Sequence, residues 1–317
     1  MTVLVAPDKF KGTFSAEQAA AAIAAGLGDE AEVCPIADGG DGTAAVLLAA
    51  LGGGWRTAPC HDALGAPFEG RFALLGDGRE AVVDVAEASG IARIERSGRR
   101  PLPLEADSAG TGELIAAAIA AGARHVLVAC GGSATTDAGT GALRRFDPAE
   151  LERLTCLCDV SDPFMGALRY APQKGAGEAE LASLGERLER IAGELPHDPR
   201  RLPFTGAAGG LAGGFWAHGA RLVPGARHVL GAIGFDEKLS RARLVITGEG
   251  RLDGTSLSGK GVGEVAARAA AAGIPCHAIV GRDELGEAGR KRFTSVAEVD
   301  SRGAMTAAAA AARTAPL

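Results

Sequence analysis

The chain has 317 residues, enough for roughly two domains at about 150 residues each, and its apolar (47%) and charged (23%) fractions are those of a globular protein. A net charge of −6 with no basic tail argues against nucleic acid as a partner, and no run of about 18 apolar residues marks a membrane span. The 47 glycines, beside one tyrosine and two tryptophans, point to many tight turns and to backbone that approaches a small polar ligand closely.

From the N-terminus, Val3–Ala6 predicts a strand, with no basic and apolar leader ahead of it, so a cytoplasmic location is expected. The loop APDKFKG (6–12) then sets Asp8, Lys9 and Lys11 close together, and Ser15 with Gln18 forms a capping-box pattern before a helix over 16–27. A second strand is predicted over 31–36. It leads through ADGGDGT (37–43), which carries Asp38 and Asp41, into a helix over 43–51. Residues 55–90 read as three short strands of antiparallel character. An alanine-rich helix over 112–122 precedes a strand over 125–129 that is apolar enough for burial on both faces. The loop CGGSATTDAGTG (130–141) follows, with Gly131, Gly132, Ser133, Thr135 and Asp137. Residues 150–229 predict a strand near 155–160 that ends at Asp159, a turn bearing Lys174, a charged helix over 177–193 and a glycine-rich helix over 206–219. Strands at 244–247, 276–280 and 296–299 and a terminal helix around 307–312 complete the pattern. The six cysteines have no zinc spacing and are expected as buried free thiols.

About six strands alternating with helices predict an α/β fold, a Rossmann-like parallel-sheet domain with a second, smaller α/β domain inserted into it. The expected division assigns 1–54, 104–149 and 230–317 to the first domain, and 55–103 with 150–229 to the second.

Ligands of open α/β sheets bind beyond the carboxyl ends of the strands, and four strand-end loops here repeat a mixture of glycine, carboxylate and hydroxyl or lysine. The last, TGEGRLDGTSLSGKG (247–261), holds Gly254, Gly259 and Lys260 at the spacing of a phosphate-binding loop, with Gly261 where such a loop has its Mg²⁺-binding Ser or Thr. Glu249 and Asp253 precede them. Each loop also has an ordinary reading: a solvated turn at 6–12, a helix start at Asp41, a surface lysine at Lys174, a glycine-rich turn at 254–261. The combined inventory suits phosphoryl transfer, which needs cations and backbone donors on the transferred group, carboxylates for Mg²⁺ and a base. None of the six histidines lies in these loops, which disfavours a Ser-His-Asp or Cys-His hydrolase, and the dinucleotide fingerprint is missing after the first strand.

Taken together, APDKFKGTFSAEQAA, PIADGGDGT, GTGELI with CGGSATTDAG, CDVSDP with PQKGA, GAAGGLAGG, and GFDEKL with LVITGEGRLDGTSLSGKG resemble the signature blocks of the class I glycerate kinase family, in the family's order over residues 3–281. The resemblance implies a kinase that uses ATP and Mg²⁺ to phosphorylate D-glycerate, with 2-phosphoglycerate favoured as product and two domains enclosing a cleft. A monomer or homodimer is expected. The catalytic candidates are Asp8, Lys11, Asp38, Asp41, Asp137 and Lys174. The phosphate- and nucleotide-binding candidates are Gly131, Gly132, Ser133, Thr135, Glu249, Asp253, Gly254, Gly259 and Lys260. Asp38, Asp137 and, more weakly, Asp159 are the metal-ligand candidates. The chain departs from the family pattern in three places: Lys9 stands where a serine is frequent, Cys130 where a glycine is usual, and only RRFDPAELERLT lies between Leu143 and Cys156, where a longer stretch is expected. A kinase of another small hydroxy acid and a non-catalytic binder of a small acid or nucleotide are the alternatives.

Overall fold

Strands buried on both faces of a parallel sheet read as unbroken apolar runs, and Thr2–Pro7 (β1) is one, buried from Val3 onward. The computed structural model describes residues 2–314. After β1 the strands run Ala31–Val33 (β2), Gly53–His61 (β3), Pro67–Leu75 (β4), Glu80–Asp84 (β5), His125–Cys130 (β6), Leu154–Cys158 (β7), Arg221–Pro224 (β8), Ala242–Glu249 (β9), Cys276–Val280 (β10) and Ser295–Glu298 (β11). They form two sheets, one of five strands in the order β11-β10-β9-β1-β2 and one of six in the order β3-β4-β5-β6-β7-β8.

The five-stranded sheet is parallel throughout. The helix Ala16–Ala25 begins at the expected capping box, where Ser15 Oγ accepts the Gln18 N–H at 3.2 Å and Gln18 Oε1 accepts the Ser15 N–H at 3.1 Å. Its buried face, including Ile23, shares a core with Val5, Ile246 and, from the C-terminal helix Arg302–Thr314, Met305 and Ala309. A side chain at Gly26 would collide with the Thr306 carbonyl, so glycine there permits the two helices to close on one another.

The six-stranded sheet is mixed. Residues 53–84 make the expected meander, with β3, β4 and β5 antiparallel in turn. Strands β5 to β8 then continue the sheet in parallel. Its core gathers Val83, Val128, Leu114, Ile115 and Phe215 with the thiols of Cys130, Cys156 and Cys158. All six cysteines are free and buried.

The domain boundaries differ from expectation. One unit comprises residues up to Asp38 and from Ala226 onward, and the other is the single stretch Gly39–Gly225. The second unit is therefore inserted once, in one piece, and takes with it residues 39–54 and 104–149, while 226–229 belong to the first; it is the larger of the two, not the smaller one expected. The reason lies in pairing. An apolar run such as 125–130 suits the interior of either parallel sheet, and only its ladder with β5, from Glu80↔His125 to Asp84↔Ala129, assigns it to the second. The expected helix over 206–219 is also divided. Ala207–Gly210 forms a 3₁₀ turn with Ala208 at φ 51°, and the α-helix proper is Leu211–Ala217.

Candidate active site

In the first unit, the loops at the carboxyl ends of β1, β2 and β9 bring carboxylates together. Asp8 follows β1 and is 8% exposed. Its Oδ1 accepts the Lys9 N–H at 2.7 Å. A Cβ at Gly261 would lie 3.0 Å from Asp8 Oδ2, so the carboxylate of Asp8 occupies the place at the start of the helix Gly261–Ala271 where a Walker loop has its hydroxyl. Burial, and then the negative charges of Asp38 and Glu249, push the Asp8 carboxyl well above its ordinary range. Glu249 ends β9. Its Oε1 is buried with no hydrogen-bond partner, and burial raises its carboxyl to about 7 against the opposing charge of Lys260.

The segment 250–260 is not an open phosphate cradle. Partial burial works against Asp253, yet the Thr255 N–H and hydroxyl, at 2.8 and 2.6 Å from its Oδ1, hold its carboxyl below the usual value. Those bonds curl the loop on itself. A side chain at Gly263 would strike the Ser256 carbonyl, so the loop also folds back over the helix start. Gly254 and Gly259 lie in this turn with open space at their Cβ positions, Lys260 is the N-cap of the helix, and Lys11 is exposed in the turn after β1. In the loop expected to bind nucleotide through its backbone, Glu249 is buried at the strand end, Lys260 caps the helix and Asp253 shapes the turn.

The second unit carries a separate cluster at the carboxyl ends of β6 and β7. A Cβ on Gly131 would sit 2.6 Å from both Asp159 Oδ2 and Gly40 Cα, and one on Gly132 would sit 3.5 Å from the Asp41 Cβ. Three predicted loops therefore meet here with almost no side chain between them. Lys174, only 6% exposed, donates from Nζ to the Thr135 carbonyl at 2.6 Å and to Ser133 Oγ at 3.1 Å. Burial lowers its ammonium to about 8, opposed by Asp137 and Asp159. The hydroxyls of Thr135 and Thr136 are buried without hydrogen-bond partners. An ammonium so placed is a cation with spare donor capacity, suited to an anionic group of a small ligand.

Two assignments change. Asp137, expected as base or metal ligand, spends both oxygens on the fold: Oδ2 accepts Ser108 N–H, Ser108 Oγ–H and Gly141 N–H at 2.7–3.1 Å, and Oδ1 accepts Gly139 N–H at 3.1 Å. A carboxylate offers about four lone-pair sites, so little remains for a metal or a proton in transit. Asp41, considered for the start of the helix Thr43–Leu51, leaves that task to Asp84, whose oxygens accept Gly42 N–H at 2.9 Å and Ala44 N–H at 3.0 Å. Ser108 and Asp84 were missed in the sequence because neither sits in a glycine-rich loop; a carboxylate closing a strand, as Asp84 closes β5, was the available signal.

The sequence matches the profile of the glycerate kinase family over residues 3–153 and 144–316. The chain belongs to the glycerate kinase family. It is 34% identical to the glycerate kinase of Halalkalibacterium halodurans, with 88% of this chain and 85% of that protein covered. It is 35% identical to the glycerate 2-kinase of Escherichia coli K12, covering 84% and 82%. A crystal structure from Salmonella typhimurium LT2, provisionally assigned as glycerate kinase 2, superposes with a TM-score of 0.78 over 98% of this chain and 97% of that one, at 28% identity. The kinase is thus a phosphotransferase that uses ATP. The two matched segments of the family profile overlap at 144–153, the stretch that is short by the family pattern, and there the chain makes a 3₁₀ turn, Pro148–Arg153, capped by Asp147. Among the described residues no helix is long and apolar enough to cross a membrane.

The first unit's acidic residues suit Mg²⁺. Oxygen donors are what a hard cation takes, and the unpartnered Glu249 Oε1 beside the mutually repelling Asp8 and Asp38 is a polar atom that a cation would satisfy. Among the described residues no group of three or more His, Cys, Asp or Glu side chains is placed to hold a metal ion.

Proposed function

We propose that this kinase transfers the γ-phosphoryl group of ATP to the 2-hydroxyl of D-glycerate, releasing ADP and 2-phosphoglycerate. The buried Lys174 carries this reading. An ammonium removed from water is unfavourable unless something anionic compensates it; Asp137 and Asp159 do so in part, and its Nζ, bonded to Ser133 and Thr135, has one donor left over. In this reading Lys174 neutralises the transferred phosphoryl group or the glycerate carboxylate, and Gly131 lets the loops that carry Asp41 and Asp159 close around it. Lys11 and Lys260 add positive charge for ATP, and Asp41 positions substrate. Asp38 and Glu249 hold Mg²⁺, which neutralises phosphate charge when bound. The hydroxyl oxygen of glycerate bonds to the γ-phosphorus as the bond to the β,γ-bridging oxygen breaks, and the hydroxyl proton is released.

Lys174→Met should lower turnover of D-glycerate by at least about 100-fold, the loss seen when one preorganised charge-stabilising donor is removed. Steady-state assays with ATP checks this, and a variant within tenfold of the parent would sink the assignment. The ³¹P spectrum of the product distinguishes the 2- from the 3-phosphate. Consumption of ATP with another hydroxy acid but not with glycerate would move the substrate assignment.

A further inference from the structure

Outside the residues discussed so far, the inserted unit has a cavity of about 750 Å³ beside the β3–β4 hairpin and the helix Ile91–Arg96. Four guanidinium groups line it, those of Arg71, Arg93, Arg96 and Arg99. Only two carboxylates accompany them, so the lining carries two positive charges in excess. Asp62 pairs with Arg99, and Glu87 with Arg93 at 2.9 Å and Arg71 at 3.7 Å. Arg96 has no carboxylate partner among the described residues; its Nε is held by the Ala92 carbonyl at 3.2 Å. Part of the wall is apolar, and the Phe68 ring lies 3.6 Å beneath the Arg93 guanidinium.

Arginine forks in a concave site favour phosphate and carboxylate groups, and an apolar wall beside them favours an organic body over a bare inorganic ion. We infer that this cavity is an accessory site for a small organic anion with two or more negative charges, bound by Arg71, Arg96 and Arg99 with its apolar part against the wall formed by Ala66, Pro67 and Phe68. The helix that carries Arg93 and Arg96 is joined to the loop of the Lys174 site. The Ile91 N–H donates to the Gly132 carbonyl at 3.1 Å, the Ala134 N–H donates to the Ser89 carbonyl at 2.8 Å, and Ile94 packs in one cluster with Ala134. An occupant drawing on Arg96 therefore pulls on the helix that braces the Gly131–Thr135 loop.

Trp55 reports on this cavity, because the Arg71 guanidinium lies 4.3 Å over its ring. In the full chain carrying Trp216→Phe, which leaves Trp55 as the sole tryptophan, phenyl phosphate should change Trp55 emission saturably, and with higher affinity than inorganic phosphate. Arg96→Ala should weaken that binding roughly tenfold, the size of one charge-assisted hydrogen bond, and Arg96→Glu should abolish it. Glycerate-dependent turnover in Arg96→Ala should stay within about twofold of the parent, as for an exposed residue away from the chemistry, which separates a failure here from a failure of the kinase reading. The inference is overturned if sodium chloride at matched ionic strength reproduces the emission change, if Arg96→Ala and Arg96→Glu bind like the parent, or if phenyl phosphate binds no better than inorganic phosphate.

Discussion

Lys174 shows how one side chain links stability to pH and to chemistry. Its ammonium, lowered to about 8 by burial, is charged at neutral pH and loses its proton as the pH rises through that value. If the charge binds the anionic group, kcat/KM for glycerate should fall above about pH 8, and a profile flat to pH 10 would contradict the role. Stability runs the other way. The folded value lies below the ordinary lysine value of 10.5, so the unfolded chain binds more protons between the two, and the contribution of Lys174 to stability increases with pH across that window. Asp137 makes the contrasting case. Its ring of backbone and Ser108 donors identifies it as a fold determinant, so Asp137→Ala should destabilise the inserted unit by roughly 2–4 kcal/mol, the scale for leaving buried donors unpaired, as read by urea unfolding. Loss of turnover in Asp137→Ala without loss of stability would restore the catalytic assignment.

Among the structural elements, the strand-end loops decide most. Glycine recurs in them because other backbone or a carboxylate already fills the space a side chain would take. Gly131→Ala would place a methyl 2.6 Å from Asp159 Oδ2 and from Gly40 Cα, both part of the loops around Lys174. It should lower turnover and also the unfolding midpoint, since one of the atoms it meets is backbone. Gly26→Ala, forced against the backbone at Thr306 between two helices, should lower the unfolding midpoint while leaving turnover of the folded protein unchanged. Paired thermal melts and kinetics on the two variants test this contrast. Much of this level was legible in advance: the capping box at Ser15, the meander over 55–90 and the loops carrying Lys174 and Glu249 all follow from local pattern. The curl of 250–260 was not, because the spacing of Gly254, Gly259 and Lys260 says nothing of whether the Asp253 side chain or a phosphate takes the backbone N–H groups.

For the whole molecule, insertion in one piece has a consequence for folding. Among the described residues the six strands of Gly39–Gly225 pair only with one another, and the sheet carries its own core. Residues 39–225 expressed alone should fold with a cooperative urea transition and protected amides in β5–β7, as expected of a unit with a complete sheet. A chain that stays unfolded would mean that the remainder is needed to complete it. The five-stranded sheet is assembled from both ends of the sequence, since β1 pairs with β9, so truncation at either end should unfold that unit.

The sequence alone determined the α/β class, the family and most of the chemical inventory, because these reside in local apolar runs and in ordered blocks of glycine, carboxylate and lysine. Tertiary structure decided which sheet owns β6, which carboxylates are already consumed and which remain. Strand partnership depends on long-range ladders that any apolar run can join, and the availability of a carboxylate depends on the donors that surround it. Ser108 lies 29 residues from Asp137, and Asp84 lies 40 residues from Ala44. No local pattern brings such groups together; only the folded chain does.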